Sequence, residues 1–132
     1  MKRIALIHTV KSVLDSFEGL LREAIGDELL ISNTLDDFLA SDAAARGEFS
    51  VDNQNRLFYL LKAEELTHAD IIVVTCSTLT PTVTALRGLI KTPVIAIDDA
   101  MTRLAVQSGE KITIMATAQS TVEPTRQKLL HD

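Results

Sequence analysis

Two kinds of apolar run take turns along this chain. Residues 3–9, RIALIHT, form a compact aliphatic stretch of strand length. Residues 13–25 follow with Val13, Phe17, Leu20, Leu21 and Ala24 at helical spacing, and Gly26 closes that helix. ELLISNT (28–34) reads as a second strand, and the polar, Ala- and Asp-rich residues 35–50 as a connection or a short helix. Residues 50–69 are expected to be helical, with Ser50 or Asp52 as N-cap. DIIVVTC (70–76) is the third strand and TPTVTALRGLI (80–90) the third helix. A fourth strand at 92–98 leads to a short helix at 99–109 stopped by Gly109. KITIMAT (111–117) is the expected fifth strand, and residues 120–132 the last helix.

Strands separated by helical segments imply crossover connections, hence a parallel sheet covered on both faces. The expected fold is a three-layer, doubly wound, flavodoxin-like α/β domain. Ligands of such sheets sit beyond the carboxyl ends of the strands. The residues there are His8 and Thr9, Asn33 and Thr34, Cys76 to Thr78, Asp98 and Asp99, and Thr117 to Thr121. Polar strand ends are common in this architecture, so the pattern marks a place and not yet an activity.

Composition narrows the partners. The chain has 132 residues, one domain's worth, with 46% hydrophobic residues, no Trp and 4% aromatics, so its core should be aliphatic. The net charge of −5 is spread among interspersed acids and bases, which argues against nucleic acid or an anionic membrane as partner. A single cysteine excludes an internal disulfide and a cysteine-only zinc site. The N-terminus turns polar too soon for a signal peptide, and no apolar run reaches the length of a membrane span. A cytoplasmic protein is expected.

The one thiol stands in a distinctive place. In VVTCSTLTPTVTALRGLI, Cys76 lies where a strand hands over to a helix, with Ser77 and Thr78 directly behind it. Free amides at the start of a helix favour an anion nearby and so favour thiolate. Ser77 and Thr78 supply donors able to hold a carboxylate beside it. The plain alternative is that a free cysteine is a small buried hydrophobe; its position at a strand end shifts the balance toward chemistry.

Several sharper motifs are absent. No arginine follows at the spacing of a tyrosine-phosphatase loop, and no glycine-rich nucleotide loop occurs. A Thr-rich loop can hold a flavin phosphate, but this one lacks the glycine that close backbone approach needs. A thiol hydrolase would want a His base; His8 is a conceivable partner, yet no third residue is identifiable. His68 and His131 read as solvated. Asp98 and Asp99 serve equally as helix N-caps or cleft residues. Arg46, Arg87 and Arg103 read as surface ion-pair residues without a role.

The segment VVTCSTLTPTVTALRGLIKTPVIAI resembles the first catalytic segment of the aspartate/glutamate/hydantoin racemase superfamily. That segment is a strand, a Cys-Asn-Thr or similar triplet, a helix, then a Pro-Val-Ile strand. KITIMATAQSTVEPT resembles the family's later Ala-Thr-x-x-(Ser)-Thr loop, and IALIHTV its opening strand. His8 and Thr9 stand where relatives such as glutamate racemase carry Asp-Ser, and Ser77 stands in place of Asn. The resemblance covers the whole chain in order.

The resemblance implies two similar α/β lobes with the active site between them, each supplying one cysteine. One thiolate removes the Cα proton and the other thiol delivers a proton to the opposite face, without a cofactor. It implies Cys76 as catalytic residue, and His8, Thr9, Ser77, Thr78, Thr117, Ser120 and Thr121 as substrate-binding residues, with no metal. Residues 1–109 then form the N-terminal racemase-like lobe, and residues 110–132 the strand and helix that open a truncated second lobe. The implied partner is a small carboxylate such as an amino acid, or a hydantoin, with the protein a homo-oligomer, most simply a dimer. The lone cysteine keeps two other functions open. One is a small-carboxylate-binding domain without turnover; the other is a one-thiol decarboxylase or cis–trans isomerase.

Overall fold

The structure is a computed structural model that describes all 132 residues. Four strands, β1 (Lys2–His8), β2 (Leu29–Leu35), β3 (Ile71–Val74) and β4 (Val94–Ala96), form one sheet in the order β2-β1-β3-β4. Every pair is parallel, with Ile4 beside both Ile31 and Ile71, and Ile72 beside Val94. Six α-helices flank it: α1 (Lys11–Ile25), α2 (Phe38–Arg46), α3 (Val51–Glu65), α4 (Thr80–Leu86), α5 (Asp99–Ser108) and α6 (Val122–His131). The expected α/β class and doubly wound topology therefore hold.

Strand alternation decides what each face carries. Ala5, Ile7, Ile72, Val74, Val94 and Ala96 face Leu39 of α2, Leu57 and Leu61 of α3, and Val83 of α4 in one buried aliphatic cluster. Each buried Val, Leu or Ile among them contributes roughly 1.5–3 kcal/mol by leaving water. Leu6 and His8 point to the other face, where Phe17 of α1 meets the His8 ring edge-on at 6.0 Å between centroids.

Local signals explain the helix ends. Ser50 caps α3 by accepting the Asn53 amide at 3.1 Å. Gly47 ends α2 in the left-handed conformation, φ 74°, which a side chain would strain. The expected helix at 80–90 is broken into a 3-10 turn (Ser77–Leu79), α4, and a second 3-10 turn (Arg87–Leu89). Pro81 in the first turn of α4 fits a helix start, and Gly88 weakens its continuation.

The fifth strand expected at 111–117 does not form. Residues 109–117 make no backbone–backbone hydrogen bond, and Ile112 and Met115 are exposed. A β-branched run supplies the propensity for a strand, but a strand also needs a ladder partner. No strand edge pairs with this segment, and β4 bonds only to β3. Residues 109–117 are instead a tether that leads to α6.

α6 packs against α4 and α5, not on the sheet. Val122 and Leu129 are half-buried and Leu130 is exposed. The deepest residue of the helix is Lys128, with 2% of its side chain exposed. Its ammonium lies 3.2 Å from Asp99 and 2.6 Å from Asp132. Arg87, expected as a surface residue, joins the same cluster at 2.7 Å from Asp99. Burial pulls the Asp99 carboxyl up, but hydrogen bonds from Arg87, the Ala96 amide and Lys128 outweigh it and leave it lowered.

Candidate active site

The chain runs from β1 outward to β2, then returns across β1 to β3 and on to β4. The winding direction therefore reverses between β1 and β3. Open α/β sheets bind ligands outside the carboxyl ends of the strands at such a reversal. Here those ends are His8–Thr9 and Thr75–Cys76.

His8 is fully buried and bonded through both ring nitrogens. Nδ1 lies 2.7 Å from the Thr75 hydroxyl and Nε2 lies 2.9 Å from Asn33 Oδ1. The Asn33 amide nitrogen donates to Glu18 Oε1 at 3.0 Å. A carboxylate only accepts, so Asn33 must turn its oxygen to His8, and Nε2 carries the proton. In the neutral ring Nδ1 then accepts from Thr75. If Nδ1 is protonated as well, Thr75 receives that bond and donates to the Ile7 carbonyl, 3.2 Å away. Glu18, Asn33, His8 and Thr75 thus form one chain of bonds from α1 across two strands to the residue before the thiol.

Cys76 has an extended backbone and precedes the 3-10 turn. It is half-buried, packed against the aliphatic cluster, and reduced. Backbone bonds from Thr75 to Ile7 and from Ile97 to Val74, both 3.0 Å, carry the strand register just past the strand ends. Thr9 follows the end of β1, Cys76 lies just past β3, and Asp98 lies just past β4. Thr9 Oγ1 and Asp98 Oδ2 are sealed from solvent and have no hydrogen-bond partner in the protein, whereas Asp98 Oδ1 accepts from Thr80 at 2.8 Å. Buried polar atoms without partners are few in native folds. Two of the four in this fold, Thr9 Oγ1 and Asp98 Oδ2, stand at the ends of the strands that flank β3.

Thr78 is buried and touches the segment that leads into α6. Its hydroxyl lies 3.4 Å from the Ser120 carbonyl and 3.5 Å from the Ser120 hydroxyl. Thr121 instead donates to the Ala118 carbonyl at 2.8 Å, a local turn bond. Thr117 is exposed, and Ser77 is half-buried without a side-chain bond.

Thr9, Cys76 and Thr78 therefore stand at or just past the strand ends, Ser120 lies against Thr78, and Thr117 and Thr121 make no side-chain hydrogen bond to them. His8 lies behind this group, its nitrogens committed to Thr75 and Asn33. Sequence reasoning gave no role to Thr75, Asn33 or Glu18. Asn33 at the end of β2 and Thr75 next to the thiol were the visible signals, but the pairing depends on three strands meeting.

The fold and this arrangement fit one family. The profile of the Asp/Glu/Hydantoin racemase family matches residues 5–132, nearly the entire chain, and the chain belongs to that family. A comparison with curated proteins finds no match. Family membership supports a racemase- or isomerase-type role in general. No helix is long and apolar enough to cross a membrane.

Proposed function

We propose that this protein is a cofactor-independent isomerase in which Cys76 moves a proton at the α-carbon of a small carboxylate. The observation that carries this reading is the placement of the chain's only thiol at the end of β3, beside the point where the winding reverses. In the proposed step the thiolate takes the α-proton, and the electron pair of the C–H bond passes into the substrate carboxylate as an enolate. Donors preorganised around that carboxylate stabilise the charge. Ser77 and Thr78 are the residues assigned to it, with Ser120 across from Thr78.

Inversion needs a second acid on the opposite face of the substrate. The 132 residues hold no second cysteine. The reading therefore takes this acid from a second α/β lobe that residues 110–132 would open, within a cytoplasmic homodimer. The tether without backbone bonds favours a boundary there, while the packing of α6 on α4 and α5 joins the helix to the first lobe. The test is exchange of the α-proton of candidate amino acids and hydantoins for solvent deuterium, followed by NMR. Exchange that disappears in Cys76→Ala supports the proposal; no exchange with any of them removes it.

A second reading has its own support. His8, the one histidine near the thiol, has both nitrogens bonded within the protein. A site with one thiol and no free base suits carboxylate binding without turnover, or a one-thiol reaction such as decarboxylation. Binding without exchange, or a product lighter by carbon dioxide in a mass spectrum, would distinguish these.

A further inference from the structure

A cavity of ≈ 610 Å³ opens beside the Cys76 turn, between α2, the start of α4 and α6. That is the size of a small-molecule site. Thr78, two residues beyond Cys76 in the chain, lines it. Thr82, one helical turn further on, lines it as well. Thr82 is only 8% exposed, yet its hydroxyl bonds no other group of the protein and is not sealed off. Gln54, Ser120 and Gln127 add amide and hydroxyl groups to the walls.

The charges of this cavity have one sign. Glu48 and Glu123 are the only ionisable side chains that line it. The nearby cations are already held outside: Arg126 by Glu123 at 3.1 Å and Arg46 by Asp42 at 2.9 Å. A ligand carboxylate here would meet Glu48 and Glu123, the latter already paired with Arg126, and no cation among the lining residues. An amide or hydroxyl would instead donate to the acids and accept from Thr82.

We propose that this cavity receives the side chain of the substrate and selects an uncharged amide- or hydroxyl-bearing group over a carboxylate. The inference rests on the proton-transfer reading of Cys76, and it sets the substrate apart from the acidic amino acids in the family's description. At these exposed acids, which water screens, like-charge juxtaposition disfavours the carboxylate to a modest degree.

The test uses the full chain carrying Cys76→Ala, with L-glutamine and L-glutamate as probes, read by amide chemical shifts. Glutamine should perturb Thr82 and Ser120 at concentrations about tenfold lower than glutamate. Thr82→Val should weaken glutamine binding, and Glu48→Gln should narrow the gap. Equal or tighter binding of glutamate, no binding of either, or glutamine shifts indifferent to Thr82→Val each overturn the proposal. Deuterium exchange by the unmodified protein separates the two claims. Faster exchange of glutamate than of glutamine overturns the cavity preference and keeps proton transfer. The predicted binding pattern with no exchange of either overturns proton transfer and keeps the preference.

Discussion

His8 Nδ1 and the Thr75 hydroxyl lie 2.7 Å apart, and this bond ties the end of β1 to the residue that precedes the only thiol. Beyond the imidazole, Asn33 and Glu18 continue the chain of bonds, so the ring is fixed in tautomer and in plane. His8→Ala removes a fully buried ring and leaves Asn33 Oδ1 without its donor. It is expected to cost about 2–3 kcal/mol of stability, read from the midpoint of urea unfolding. Thr75→Val, which keeps the shape, is expected to cost about 1 kcal/mol. An effect below a few tenths of a kcal/mol for His8→Ala would mean the network does not hold the strand ends.

Lys128 fastens α6 to the rest of the domain. Lys128→Met leaves Asp99 and Asp132 facing each other without the ammonium, and is expected to cost about 3 kcal/mol. Hydrogen exchange should show the loss first in α6. A variant that is as stable as the parent and protects α6 equally well would contradict this.

The same cluster sets an acid limit. Burial pushes the Asp132 carboxyl up, but hydrogen bonds from Lys128 and Thr102 prevail and lower it from 3.8 to about 2. A carboxyl depressed on folding stabilises the native state fully above its unfolded pKa and loses that contribution as pH falls through the folded value. The thermal midpoint should therefore fall between about pH 4 and pH 2, and less steeply in Lys128→Met. Equal slopes in the two proteins would show that Lys128 does not set the shift.

Ser50 is the N-cap of the helix that carries Leu57 and Leu61 into the core. Ser50→Ala should cost about 1 kcal/mol by thermal or urea unfolding, and Ser50→Asp should recover most of it.

What the sequence reveals follows the range over which each signal acts. β1 is legible because its aliphatic run is buried on both faces and β3 because its run is buried on one face and half-buried on the other, and Cys76 is placed by the end of such a run. Residues 111–117 carry the same signature but find no strand edge to pair with, and pairing is a tertiary fact. Charged residues are misleading for a related reason. Arg87 reads as a surface position and Lys128 carries no local signal of burial, yet Asp99 draws both into one cluster from separate elements. The His8 network joins residues 25 and 67 positions apart, which no local periodicity reports. Thr78 and Ser120 were legible separately, as hydroxyls following strand-like runs; their contact was not.

The central claim is that Cys76 itself carries the proton, and Cys76→Ser tests it most directly because it replaces the thiol with a similar but far less acidic group. Substrate candidates are incubated in deuterium oxide with the parent or the variant, and the label at the α-carbon is followed by mass spectrometry. The account predicts one deuterium per molecule with the parent, and a rate lower by roughly three orders of magnitude or more with Cys76→Ser at unchanged folding stability. Exchange by Cys76→Ser at a rate close to the parent's would contradict it.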